Sequence, residues 1–169
     1  MASTNPITRI EEALWELLEA NADFIKLVPA GNRIKTTEPL LPMAEKEVAQ
    51  HADKPEVRII VAGGAMRPDN DSSQSHFKRV FALQVSTADQ YRKTVDDVEW
   101  QIFRSIAYGW RTKLDSLTWT SKRYACHMRP ADVKEDLESD RSIKGWQTVA
   151  ILPVDLFFDT ADLAPTAPT

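Results

Sequence analysis

Between Phe77 and Trp110 the hydrophobic period of the chain changes from two residues to about 3.6, and that change restricts the fold to a sheet with a helix laid on it. Arg79, Phe81, Leu83, Val85 and Thr87 alternate with Lys78, Val80, Ala82, Gln84 and Ser86. This is the pattern of a strand with one face on a core. Val95, Val98, Ile102, Ile106 and Trp110 then recur at helical spacing, with Gly109 placed to end or loosen the helix. Thr87 and Gln90 have capping-box spacing, which predicts the start of the helix there.

A first helix is expected near the N-terminus. Asn5 can cap it, Pro6 is harmless at its first position, and Ile7, Ile10, Leu14, Leu17 and Leu18 form its apolar face. Glu11, Glu12, Glu16 and Glu19 fall on the other faces, and acidic residues in the opening turns suit the positive end of the helix dipole. Asn21 to Asp23 interrupt the pattern, and Phe24 to Val28 predict a helical turn stopped by Pro29 and Gly31. Lys35 to Pro55, with three prolines and a short helix at Met43 to His51, is a surface excursion. Val57 to Val61 is a β-branched strand ending at Ala62-Gly63-Gly64, where paired glycines mark a strand end or a bulge. The polar Arg67 to Ser75 segment predicts a mobile hairpin loop.

Two further extended runs follow, Trp119 to Met128 and Trp146 to Phe158. A dozen extended residues reach ~40 Å, more than a core of this size requires, so the excess is expected to project or to pair with a neighbour. Pro153 predicts an edge position or a bulge. Ala131 to Gly145, rich in both charges, is expected to be a solvated connection with at most one helical turn, and the proline-containing segment from Thr160 onward to be disordered. At 169 residues the chain suits one domain, residues 1–159, with 160–169 as its tail.

Charge and chemistry narrow the function classes. A net charge of −4 offers no overall basic field for nucleic acid, and no apolar run approaches the ~18 residues of a membrane span. One cysteine, Cys126, cannot form an internal disulfide. His51, His76 and His127 are scattered, and adjacent Cys126 and His127 on a strand point to opposite faces, which disfavours a metal site. No second motif supplies a base for a Cys126 nucleophile, and Gly63-Gly64 lacks the Gly-Lys-Ser/Thr ending of a phosphate loop. Asp96, Asp97 and Glu99, beside Arg92, Lys93 and Arg104, suit a solvated helix face better than an acid pair. Trp100, Tyr108, Trp110, Trp119 and Trp146 suit core or subunit-interface packing better than base stacking. No catalytic residue, cofactor or metal is expected.

The succession of Ile10 to Leu18, Asp23-Phe24-Ile25-Lys26-Leu27-Val28, Asn32-Arg33-Ile34, Val57 to Val61, Val85-Ser86-Thr87-Ala88-Asp89, the covering helix and Trp146 to Phe158 resembles the tail terminator or tail-completion family of long-tailed bacteriophages. The resemblance implies an α+β fold, a mainly antiparallel β-sheet covered on one face by two α-helices, with a long C-terminal β-hairpin. It implies a virion protein, assembled in the host cytoplasm, whose homohexameric ring caps the tail tube, stops its growth and joins the head-side connector or neck. A contractile tail would add the sheath protein as a partner, DNA would pass only as cargo, and no cofactor or membrane would be involved. The expected contact residues are Arg67, Asp69, Asn70 and Asp71 in one loop and Asp132, Lys134, Glu135, Arg141 and Lys144 in the other. Rival readings are a head-completion or neck adaptor, a small enzyme with a site near Gly63-Gly64 or Cys126-His127, and a host-directed binding protein.

Overall fold

The computed structural model describes residues 5–35, 54–67, 74–87, 91–119, 122–123, 125–128, 135–140 and 145–168. Helix α1, Pro6–Glu19, starts as its sequence requires: the Asn5 side chain accepts the Ile7 amide at 2.9 Å, and Pro6 occupies the first turn. Its Ile10, Leu14 and Leu18 are fully buried, while Ile7 and Leu17 pack at the margin of the core. Glu11 departs from expectation and is buried, because the core-facing stripe of α1 also takes in Ala13 and Trp15 and is wider than the Ile/Leu pattern alone. Helix α2, Ala22–Leu27, buries Phe24 and begins at Asn21, whose side chain accepts the Asp23 and Phe24 amides.

The sheet is built from β1, Arg33–Ile34; β2, Glu56–Arg67; β3, Gln74–Thr87; β6, Ala125–Met128; β7, Glu135–Asp140; and β8, Gly145–Asp159. Its order is β1-β2-β3-β8-β6, with β7 also paired to β8, and only the short β1–β2 pairing is parallel. Strands β3 and β8 pair without interruption from Gln74 with Asp159 to Thr87 with Trp146. Phe81, Leu83 and Val85 therefore lie beside Leu152, Ala150 and Thr148 on one face. Helix α3, Arg92–Gly109, sets Ile102 and Ile106 against that face, with Val95 and Val98 also buried. Helix α1 packs beside α3, so two helices cover one side of a mostly antiparallel sheet, the α+β arrangement expected.

Several local expectations are corrected. Helix α3 starts at Arg92 with Tyr91 at the cap, and Thr87 is the last residue of β3, paired with Trp146 and buried, so it does not cap the helix. Strand β2 continues past the glycines to Arg67, with a register shift between Val61 and Gly63, so the pair marks a bulge and not a strand end. Trp119 to Met128 is not one strand. It divides into β4, Thr118–Trp119, and β5, Lys122–Arg123, which pair as a separate small ribbon, followed by β6. The connection at residues 131–145 contains β7, held against β8 from Glu135 with Ala150 to Asp140 with Gly145, so pairing to a long neighbour prevails over a charged composition with low strand propensity.

Pro153 is not on an edge strand, since β8 has β3 on one side and β6 and β7 on the other. Among the described residues, however, β7 reaches only Ala150 and β6 begins at Val154, so Pro153 stands in a short local opening of the ladder. Gly109 ends α3 and leads into a π-helical turn, Trp110–Leu114. Thr160–Leu163 form a 3-10 turn in place of a disordered start to the tail, and the Ser75 and Thr160 hydroxyls lie 2.9 Å apart. The short helix expected at Met43 to His51 lies outside the described residues.

Candidate functional site

Of the residues predicted from sequence to make contacts, the structure describes Arg67 and Glu135. Arg67 is the last residue of β2, opposite His76 of β3, which in turn pairs with Phe157 of β8. The segment bearing Asp69, Asn70 and Asp71 lies outside the described residues, and it joins β2 to β3 at this end. At the other end, Asp140 pairs with Gly145, next to Trp146 and its partner Thr87. Arg141 and Lys144 fall between them, outside the described residues, as do Asp132 and Lys134. Glu135 is the first residue of β7, part way along the sheet. From the rung of His76 to that of Thr87 the strands advance about 36 Å, so the β2–β3 and β7–β8 connections leave the sheet at opposite ends.

The end near Arg67 is shaped by glycine geometry. Gly63 adopts φ +142°, a conformation that residues with a Cβ rarely take, and Gly64 lies so close to β3 that an added Cβ would come 2.1 Å from the Lys78 carbonyl oxygen. Gly63 to Met66 are exposed. On one face of β3 the Arg79 guanidinium lies 4.2 Å from the centre of the Phe77 ring. On the other, His76 Nε2 lies 2.9 Å from Asp155 Oδ1, and the imidazole stacks on Phe157 at 4.6 Å. Trp119 meets Phe158 edge-on at 5.5 Å, which anchors the small β4–β5 ribbon to the end of β8. Aromatic, cation–π and hydrogen-bond contacts thus brace this end of the sheet.

Helix α3 presents a second surface. Trp100 and Phe103 stack at 5.7 Å and are more than half exposed, and Tyr108 is 92% exposed. Trp110, Trp119 and Trp146 are instead half-buried against the core, so only Trp100 and Tyr108 of the noted aromatics are presented to solvent. A groove of about 670 Å³ runs between α3 and the end of α1, lined among others by Leu17, Phe103, Ala107 and Tyr108. Asn21 fixes the relation of the helices there: besides capping α2, its amide nitrogen donates to Ser105 Oγ at 3.0 Å and to Gln101 Oε1 at 3.2 Å. Nothing in the hydrophobic pattern signals this double use of one asparagine.

The charged face of α3 is mostly self-paired. Arg92 meets Asp96 at 3.5 Å, Lys93 pairs with Asp97, and Arg104 reaches Asp23 at 3.4 Å. Glu99 is different, since its Oε1 accepts a 2.6 Å hydrogen bond from the fully buried Thr148 and so ties the helix to β8. Glu16 joins α1 to the π-helical turn. Its hydrogen bond from Arg9, at 2.8 Å, holds its carboxyl below the usual range, partial burial opposes the shift, and Lys113 reinforces it. Asn32, from the Asn32-Arg33-Ile34 segment, is buried and donates to the Lys54 and Pro55 carbonyls, which starts β2 beside β1. These charges serve packing and cross-linking.

Among the described residues no group of three or more His, Cys, Asp or Glu side chains converges as metal ligands would, and no helix is long and apolar enough to cross a membrane. Cys126 and His127 both lie in β6, with a register shift between Ala125 and His127. His51 is outside the described residues.

No family model matches the chain, and no curated protein does. Among solved structures, the chain is similar to one in a structure described as the virion of native gene transfer agent (GTA) particle. The TM-score is 0.55 at 11% identity, and the match covers 88% of this chain and 94% of that one. The likeness is one of fold, extending over nearly the whole of both chains.

Proposed function

We propose that this chain is a structural subunit of a phage-like virion, and within it a tail terminator: a ring of identical copies that caps the tail tube, stops its growth and presents a joining surface to the head-side connector or neck. The observation that carries this reading is the shared fold with a chain of a gene transfer agent virion, extending over 88% of this chain and 94% of the other. A protein whose partner is a second protein surface requires breadth and rigidity more than a reactive constellation. The fourteen-residue β3 paired along its length with β8 supplies such a frame.

A terminator also requires two opposed surfaces. The β2–β3 connection, with Arg67, and the β7–β8 connection, with Arg141 and Lys144, occupy opposite ends of that frame. One set would meet the tube and the other the connector, with a sheath protein as a further partner in a contractile tail. Copies would associate by repeated heterologous contacts that close into a ring. The chain would act without catalysis or cofactor, and DNA would pass through the ring as cargo.

The test is to polymerise the tube protein of the same virus in the presence of this protein and score tube ends and lengths by negative-stain microscopy. Capped ends and a shortened length distribution are expected. Bare ends and unaltered lengths, with folded protein, would defeat the terminator role, and binding to the portal or connector under those conditions would establish a neck adaptor instead.

A further inference from the structure

The outer face of α3 carries aromatic side chains that the core does not use. Trp100, Phe103 and Tyr108 are all exposed, with Arg104 and Ala107 on the same side of the helix. At 1.5 Å per residue the row from Trp100 to Tyr108 is about 12 Å long. Ala107, being small, leaves the groove open between the two rings that line it, Phe103 and Tyr108. Exposed aromatics this close together on a rigid helix make a preformed apolar surface at little entropic cost.

The same chain contains a segment of matching chemistry. Pro165-Thr166-Ala167-Pro168 follows the 3-10 turn at Thr160–Leu163, and residues 164–168 are exposed and free of helix or strand. Ala164 leads into it at φ −54° and ψ 122°, outside the helical region, as the residue before a proline favours. In polyproline II conformation two prolines three residues apart stand about 9 Å apart, a spacing that fits the aromatic row. Such segments bind aromatic-lined grooves because their backbone is already extended and loses little freedom on docking.

We propose that residues Pro165–Pro168 of one copy lie in polyproline II conformation across the Trp100, Phe103 and Tyr108 face of a neighbouring copy. The inference rests on the self-assembly proposed above and names the contact that links successive subunits. A second copy is the occupant assigned, since each chain leaves its own segment in solvent and its own aromatic row exposed. The contact is heterologous, segment to helix, so each subunit gives one and receives one, as a closed ring demands.

The test places a benzophenone amino acid at position 166 of the otherwise unaltered chain, mixes isotopically light and heavy protein, and irradiates it alone and during tube polymerisation. Light-to-heavy cross-links mapping to residues 100–108 are expected in at least one condition. The Pro165→Ala, Pro168→Ala double variant and Phe103→Ala should each reduce their yield about tenfold, the loss expected when an anchor or its preorganisation is removed. Cross-links only within one isotope, or none to α3 in either condition, would overturn the proposal. Capped tubes without these cross-links would defeat the docking while leaving the terminator reading intact, and cross-links with bare tube ends would do the reverse.

Discussion

Substituting Gly64 by alanine tests the bulge directly. The added Cβ would lie 2.1 Å from the Lys78 carbonyl oxygen and 3.1 Å from its carbon, against 3.4 Å for the start of ordinary contact. Arg79 Nη1, at 2.8 Å, is the end of a flexible side chain and can swing away, but the Lys78 carbonyl belongs to the backbone of β3. Relief therefore requires the two strands to separate by roughly 1 Å in a sheet whose spacing is ~4.8 Å. Overpacking of this kind costs about 1–3 kcal/mol, and the restricted unfolded chain returns about 0.4–1 kcal/mol. The net expectation is a loss of about 1–2 kcal/mol, or ~2–8 °C in Tm for a domain of this size. Gly63→Ala should lose a similar amount by a different route, since φ +142° imposes about 1–3 kcal/mol of strain on a residue with a Cβ although the space beside it is open. Gly31→Ala is the control, with neither a positive φ nor an atom within 4 Å, and should be neutral or slightly stabilising. Urea denaturation of the three variants, with amide exchange at residues 76–80, measures all of this. If Gly64→Ala matched Gly31→Ala in midpoint, the close approach would be wrong.

Other substitutions probe the remaining joints of the fold. Thr148→Val keeps the shape but removes the 2.6 Å hydrogen bond to Glu99, and should cost about 1.5–3 kcal/mol by denaturant titration. Asn21→Ala removes a helix cap and the bonds to Gln101 and Ser105 together, so its loss should exceed the ~1 kcal/mol of a simple cap, whereas a loss no larger would mean that the α3 bonds contribute nothing. The Glu16 carboxyl is held below its ordinary value of 4.5, so its contribution is complete above that pH and disappears as pH falls through the lowered folded value. Glu16→Gln should therefore lose less stability than the native chain as pH falls from about 5 through the lowered folded value, and identical acid profiles would refute the assignment.

The parts of this fold legible in the sequence are those where local periodicity and tertiary burial agree. Ile10, Leu14 and Leu18 on α1, the alternation of Phe81, Leu83 and Val85, and the stripe of Val95, Val98, Ile102 and Ile106 all carry their environment in their spacing. The start of α3 was not legible, because the capping-box spacing of Thr87 and Gln90 competes with the pull of fourteen paired residues that keep Thr87 in β3. Strand β7 was hidden for a related reason: nothing in Glu135–Asp140 favours a strand, and its conformation comes from the exposed ladder of β8 beside it. Pro153 suggested an edge position or a bulge, and the structure gives its strand neighbours on both sides and an unbroken register with β3, since one proline reports only the missing amide at its own position. For the candidate site, Arg67 and Glu135 take their places from strand register, which no local pattern in the sequence encodes. The outward row of Trp100, Phe103 and Tyr108 was blurred for a different reason, since abundant aromatics suit a core and an interface equally until burial is known.

Strand β8 lies between β3 on one side and β6 and β7 on the other, yet it follows all of them along the chain. Synthesis therefore delivers the central plank of the sheet last. At ~5–20 residues per second the ribosome needs roughly 4–14 s to pass from the end of β3 to the end of β8, and during that interval β3 has an unsatisfied edge. A nascent chain is thus unable to complete its sheet until nearly all of the described residues have emerged. A broken message or an early stop yields a chain whose β3 edge stays open, so the topology itself separates complete chains from incomplete ones.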